Sequence, residues 1–122
     1  MDVKAIDFFA YTVEDMARSL AFYREMFGLE PEFVMEHEGQ AMWAEIDVNG
    51  VTVALNASGN GARGGAVSFS VDDVQAALEE MKAKGAEVVF GPFESPVCWV
   101  AAVLDPDGNA VFLHRRHDGT CG

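Results

Sequence analysis

The hydrophobic pattern of the chain occurs twice. The segments YTVEDMARSLAFYREMFG (11–28) and FSVDDVQAALEEMKAKG (69–85) align at an offset of 58 residues. In each copy a strand-like run ends at a valine, and the acidic pair that follows favours the positive end of a new helix. Gly28 and Gly85 stand where a left-handed residue would end each helix. The apolar residues at helical spacing, which predict the buried helix faces, are Met16, Leu20, Tyr23 and Phe27 in the first copy and Val74, Leu78 and Met81 in the second.

Three alternating apolar runs follow each predicted helix, so each copy is predicted to fold as βαβββ. Asn49-Gly50 is a good two-residue hairpin signal, and DPDGN (105–109) has the proline and glycine of a turn. One helix covers only one face of such a sheet, so the other face needs a partner or a ligand. The predicted strands are 32–36, 41–48 and 51–56 in the first copy, and 86–90, 98–104 and 110–115 in the second.

The length of 122 residues, half of them apolar, predicts a single α+β domain with one sizeable core. Its first module covers 3–56 and its second covers 66–115. Between them, 57–65 forms a glycine-rich linker, and 116–122 is a polar tail.

Charge limits the possible partners. The formal net charge is −12, and no basic cluster is larger than Arg115-Arg116. Such a field repels phosphate backbones and anionic lipid, so we expect no nucleic-acid or membrane partner, and cationic ligands are favoured. The first ten residues lack the apolar run of a signal peptide, which predicts a cytoplasmic protein. Cys98 and Cys121 have no metal-type spacing, and a disulfide framework is not expected.

Two segments carry a family resemblance: IDFFAYTVEDMARSLAFYREMFGLEP (6–31) and LDPDGNAVFL (104–113). With the internal repeat, they resemble the vicinal oxygen chelate superfamily. This superfamily includes glyoxalase I, extradiol dioxygenases, fosfomycin-resistance enzymes, methylmalonyl-CoA epimerase and bleomycin resistance proteins. The resemblance implies two tandem βαβββ modules whose cupped mixed sheet has its helices outside. It also implies a homodimer whose modules are swapped or side by side, with 59–65 as the hinge of a swap.

In metal-using members of this superfamily, the first and last strands of each module hold a divalent ion. The family pattern has histidine five residues before the valine of each first strand, and it often has glutamate on each last strand. Here those four positions hold Phe8, Ala54, Ala66 and Phe112. None of these side chains carries a donor atom for a metal. The sequence therefore predicts a site without a metal or other cofactor, similar to the metal-free bleomycin-resistance branch.

Strand alternation from those four positions predicts the residues that line the cup. They form aromatic walls, a floor of small residues and a few polar groups, which suits an organic ligand of moderate size. The alternative is that Phe8 and Phe112 meet and fill this space. Trp99 is an alternative to its neighbours on strand 98–104, where the register is open. His37 and His117 are expected at the surface. The candidate ligand-binding residues are Phe8, Ala10, Trp43, Glu45, Ala54, Asn56, Ala66, Ser68, Val100, Ala102, Phe112 and His114.

The predicted function is metal-independent binding of an aromatic or cationic organic ligand, such as an antibiotic, without its transformation. No residue is assigned as catalytic. One alternative is an enzyme, either a metal-dependent lyase or dioxygenase like glyoxalase I, or a metal-free catalyst that uses Glu45 or His114 as acid or base. Another alternative is a regulatory or structural module.

Overall fold

A computed structural model of the chain describes residue 2, residues 8–59 and residues 66–120. The chain divides between residues 64 and 65 into two compact units. Most of the predicted linker, 57–65, lies outside the described residues, as does the greater part of the predicted hinge. The single-domain organisation and the linker boundaries stay predictions.

The first unit is one βαβββ module. Its four strands form a sheet of order β1-β4-β3-β2, in which β1 runs parallel to β4 and the other pairs are antiparallel. Asn49 and Gly50 both have positive φ, 50° and 90°, as a two-residue hairpin between β3 and β4 requires. The elements are β1 (Phe8–Thr12), α1 (Met16–Phe27), β2 (Phe33–His37), β3 (Gln40–Val48) and β4 (Val51–Asn56).

The second unit repeats this topology. Its sheet has the order β5-β8-β7-β6, again with one parallel pair, β5 with β8. The α+β class and the two tandem βαβββ modules are thereby confirmed. The elements are β5 (Val67–Ser70), α2 (Val74–Ala83), β6 (Glu87–Glu94), β7 (Cys98–Leu104) and β8 (Ala110–Arg116).

The acidic pairs act as helix caps. The second residue of each pair, Asp15 or Asp73, is the N-cap, and its side chain accepts a hydrogen bond of 3.0 Å from the backbone N–H three residues later. This bond satisfies a donor that the first helical turn leaves without an intrahelical partner. Gly28 ends α1 in the left-handed conformation, while Gly85, also at positive φ, comes one residue after the C-cap of α2.

The two helices differ in how well spacing predicted their buried faces. In α2 the predicted Val74, Leu78 and Met81 are the buried residues. In α1 the predicted face is partly wrong, because Leu20 and Phe27 are only half-buried. The buried residues of α1 are Met16, Ser19, Phe22 and Tyr23. Ser19 is polar, so the apolar pattern did not predict its burial. It lies three residues after Met16 and four before Tyr23, on the same side of the helix. The buried face of α1 is therefore rotated relative to the predicted face.

Asp105 organises the turn before β8. Its side chain is buried, and its Oδ1 accepts hydrogen bonds from the backbone N–H groups of Asp107 (2.9 Å) and Asn109 (2.7 Å). Its Oδ2 accepts a third from the Asn109 amide at 2.9 Å. Gly108 has φ +81°, the conformation that the DPDGN motif predicted.

Strand β6 is longer than predicted. The expected strand 86–90 is found as Glu87–Glu94, and its pairing with β7 shifts register twice, between Val88 and Phe90 and between Phe90 and Phe93. Gly91 lies between the paired residues and has φ +102°. A Cβ there would lie 2.7 Å from the Cβ of Ala101 and 2.9 Å from the carbonyl oxygen of Val100. Only glycine fits this close approach, so a larger residue at position 91 would disturb the pairing of β6 with β7.

Replacing Gly91 with alanine is expected to lower the free energy of unfolding by about 3 kcal/mol. Positive φ costs an alanine about 1 kcal/mol, and the clash with Ala101 adds about 2 kcal/mol of overpacking. Gly85→Ala is the matched control, since its φ is +92° and no other described atom lies within 4 Å of the added Cβ. It should lose only the backbone contribution. Urea unfolding followed by circular dichroism measures both variants, and equal losses would contradict the close contact.

Candidate functional site

Each sheet has one face packed on its helix, and we call the other its distal face. In the first unit, Tyr11, Val53 and Leu55 are buried on the helix side. Their neighbours along the strands point the opposite way. The pairing of β1 with β4 aligns Phe8 with Thr52, Ala10 with Ala54, and Thr12 with Asn56. The predicted residues of these strands therefore share the distal face.

Strand β3 adds Trp43 and Glu45 to this face, because Trp43 pairs with Asn56 and Glu45 pairs with Ala54. The rings of Phe8 and Trp43 meet edge to face, with centroids 5.6 Å apart and planes at 85°. Phe8 is still 48% exposed. The distal face of the first unit thus carries the ring pair of Phe8 and Trp43, which we call its aromatic corner. The Glu45 carboxylate lies two residues along β3 from Trp43.

The predicted set omitted two apolar residues on the edge strand β2. Phe33 pairs with Glu45 and Met35 pairs with Trp43, so both belong to the distal face. They are 51% and 49% exposed. Their alternation along FVMEH was a usable signal, but assigning them to a face requires the register of β2 on β3, which the sequence alone did not supply.

The Asn56 side chain is less available to a ligand than the sequence predicted. Its Oδ1 accepts hydrogen bonds from the backbone N–H of Ser58 at 3.0 Å and from the Ser58 hydroxyl at 2.6 Å. The carbonyl side of this amide therefore holds the turn after β4. Its NH₂ group remains as a donor at the edge of the distal face.

In the second unit the predicted residues again share one face. Phe112 pairs with Ser68 on one side and Ala102 on the other. Val100 pairs with His114. Trp99 pairs with Arg115 on the opposite face, which decides between the two registers that the sequence left open. Ala66 precedes β5 and is half-buried, so strand alternation does not assign it to a face.

Phe90 forms an aromatic pair that the sequence pattern did not predict. It pairs with Ala102, and its ring lies 5.8 Å from that of Phe112 at an angle of 79°. Phe93 pairs with Val100 farther along the same edge. Both were missed because the bulges in β6 break the period-two pattern from which a face is read.

Within the described residues, concave regions lie on both sides of the second sheet. On the distal side, a cavity of about 330 Å³ is bordered by Cys98, His114 and Arg116 from the strands and by residues of the 96–97 and 117–118 segments. On the helix side, a depression of about 240 Å³ is lined by Trp99, Arg115 and the first residues of α2. His114 belongs both to the lining of this cavity and to the predicted site.

A family model described as the Glyoxalase/Bleomycin resistance protein/Dioxygenase superfamily matches residues 5–113. The chain belongs to this superfamily. No curated protein sequence matches the chain significantly.

Solved structures with the same fold include three named relatives at low identity. TnmS3, an antibiotic binding protein from Streptomyces sp. CB03234, is 22% identical with a TM-score of 0.77, over 95% of this chain and 98% of that one. TioX from Micromonospora sp. ML1 is 21% identical with a TM-score of 0.75, over 92% and 98%. The Vibrio cholerae integron cassette protein VCH_CASS1 is 21% identical with a TM-score of 0.71, over 93% and 96%. At these identities the likeness establishes the fold.

The superfamily's metal positions do not fit a divalent ion in this chain. Phe8, Ala54 and Phe112 lie on the strands expected to carry the ligands, and Ala66 lies just before one. Their side chains offer no oxygen, nitrogen or sulfur donor. Across residues 8–59 and 66–120, no group of three or more His, Cys, Asp or Glu side chains is arranged to hold a metal ion.

Membrane insertion by a helix finds no support in the described part of the chain. Neither α1 nor α2 is long and apolar enough to cross a bilayer. The cytoplasmic location stays a prediction.

Proposed function

We propose that this protein is a metal-independent binding protein that sequesters an aromatic or cationic organic ligand on its distal sheet faces. The observation that carries the proposal is a pair of aromatic corners, Phe8 with Trp43 and Phe90 with Phe112, each on the face turned away from a helix. Phe8 and Phe90 are 48% and 40% exposed. Exposed aromatic clusters with few polar groups are typical of surfaces that bind organic ligands or protein partners.

The side chains at the four family metal positions are aromatic or small and apolar, which supports a site without a metal. At Phe8 and Phe112 the replacement is a ring that contributes to the aromatic corner itself. These two positions therefore offer no atom that could bind an ion, and they provide aromatic rings on which a ligand could stack.

Charge on the first unit supports a ligand with a cationic group. Glu45 is half-buried beside the Phe8 and Trp43 corner, and the whole chain carries a formal charge of −12. Attraction of a cation by an aromatic face and by a carboxylate each contributes on the order of 1 kcal/mol. The similarity in fold to TnmS3, an antibiotic binding protein, supports an antibiotic-like compound as this ligand.

A homodimer is part of the proposal. Every residue of edge strand β2 is exposed, and its Phe33, Val34 and Met35 are apolar. An exposed apolar edge strand is ready to pair with another chain. Sedimentation velocity is expected to give twice the chain mass of 13.2 kDa, and a single species at the monomer mass over micromolar concentrations would rule the dimer out.

Trp43 fluorescence tests ligand binding directly. In a Trp99→Phe variant Trp43 is the only tryptophan, and saturable quenching by bleomycin or by ethidium is expected because Trp43 lies on the distal face. Adding Phe8→Ala should weaken the binding about tenfold by removing half of the aromatic corner. Glu45→Gln should weaken ethidium binding about fivefold, in keeping with a single charge contact.

The matched control for this titration is Trp43→Phe, which leaves Trp99 on the helix side of the second sheet. Its fluorescence should change little and without saturation. Equal saturable responses from the two single-tryptophan variants, or no response from Trp43 across varied aromatic cations, would contradict a ligand site at Trp43.

Elemental analysis of the purified protein tests whether the site is independent of metal. After dialysis, the purified protein is expected to retain less than about 0.1 equivalent of Ni, Zn, Mn or Fe by elemental analysis, because the four family positions lack donors. Treatment with EDTA should leave both the melting temperature and the ethidium titration unchanged. Stoichiometric retained metal whose removal abolishes ligand binding would overturn this part of the proposal.

A further inference from the structure

The distal cavity of the second unit differs in chemistry from the aromatic surface beside it. Its volume of about 330 Å³ is at the lower end of the range for small-molecule sites. Its lining includes Arg116 and two histidines, although acidic residues outnumber Lys and Arg by 20 to 8 in the chain. Because the net charge repels anions, an anion would bind here only through local donors.

Strand geometry aligns three of the relevant side chains. Phe112, His114 and Arg116 alternate along β8, so they share the distal face at intervals of about 6.6 Å. The pairing with β7 agrees, since these residues lie opposite Ala102, Val100 and Cys98. The distal face therefore changes along one strand from an aromatic ring to an imidazole and then to a guanidinium.

His114 and Arg116 have hydrogen-bonding capacity left over. Within the described part of the chain, the half-buried His114 imidazole has no hydrogen-bond partner. The Arg116 guanidinium donates from Nη1 to the Thr120 hydroxyl at 3.3 Å. A guanidinium has five N–H donors in a planar fork that matches a carboxylate, so most of this capacity remains available.

The other polar groups at the cavity are engaged by the chain itself. Asp118 Oδ1 accepts from the Thr120 hydroxyl at 2.7 Å and from its backbone N–H at 2.9 Å. These bonds with Thr120, together with the charge of Arg116, hold the pKa of Asp118 below its usual value. The ring of His117 lies 3.0 Å from the Ser95 carbonyl oxygen and 3.6 Å from the Glu94 carboxylate. Among the described residues that line the cavity, His114 and Arg116 are thus the side chains that keep hydrogen-bond donors for a ligand.

We propose that this cavity binds the carboxylate of an aromatic ligand, with Arg116 and His114 as donors and the Phe90 and Phe112 rings against the aromatic part. The aromatic half of this assignment rests on the proposed function, whereas the carboxylate half rests on β8 and its cavity alone. The distal faces of the two units then select opposite charges, a cation beside Glu45 and an anion beside Arg116.

Paired probes of one shape test the charge preference. Isothermal titration calorimetry with 2-naphthoate and the neutral 2-naphthamide is expected to show about tenfold tighter binding of the carboxylate. Arg116→Gln should abolish that preference, and His114→Leu should reduce it about threefold. Arg115→Gln is the matched control, since Arg115 is on the same strand but faces the helix side, 3.9 Å from Asp72. It should keep the preference within a factor of two.

Amide chemical shifts locate the binding and check that each variant is folded. Adding 2-naphthoate should move the resonances of Cys98, His114 and Arg116 in the wild-type protein, while the spectrum of unliganded Arg116→Gln should otherwise match wild type. Equal affinities for the two probes, identical behaviour of the Arg115 and Arg116 variants, or no measurable naphthoate binding would each overturn the subsite.

These outcomes are separable from failure of the proposed function. A saturable Trp43 response to ethidium without a carboxylate preference removes only the anion subsite. An Arg116-dependent carboxylate preference without any Trp43 response keeps the subsite and removes the aromatic-cation site of the first unit.

Discussion

The structure depends on one geometric constraint: a single helix packs on a four-stranded sheet and covers only one of its faces. Strand residues alternate between faces, so every apolar side chain that packs on the helix fixes the orientation of its neighbours. Burial of Tyr11 and Leu55 against the helix side turns Phe8, Ala10 and Ala54 the other way, and burial of Val111 and Leu113 does the same for Phe112 and His114. The candidate site is therefore a consequence of how the core is formed.

The duplicated scaffold carries different chemistry in its two copies. The equivalent positions on or beside the first and last strands are aromatic or small, so their side chains offer no donor for a metal ion. Around them, the first unit has Glu45 beside Trp43, while the second has His114 and Arg116 beyond Phe112. Because the strand order is equivalent in both units, these differences in charge come from side chains placed on one shared topology.

Much of the fold could be read from sequence because its signals are local. The acidic pairs at the two helix starts, the Asn49-Gly50 hairpin and the buried row of α2 each depend on residues within a few positions of one another. The distal set on β1, β4 and β8 was read from strict alternation, whereas the register of β7 stayed open. Prediction failed where local regularity ends. Ser19 is buried because of the rotation of α1, and β6 passes through two bulges, with Gly91 lying too close to Ala101 for any side chain.

The sequence by itself determined the repeat, the strand and helix order, and the absence of metal donors at the family positions, since these depend on residue type and short-range spacing. Only the tertiary structure decided that Phe33, Met35 and Phe90 share the distal faces, that Trp99 does not, and that Arg116 borders a cavity with His114. The physical reason is register. Which residues of two strands stand opposite each other is set by packing and bulges across the sheet, and a shift of one position exchanges the faces.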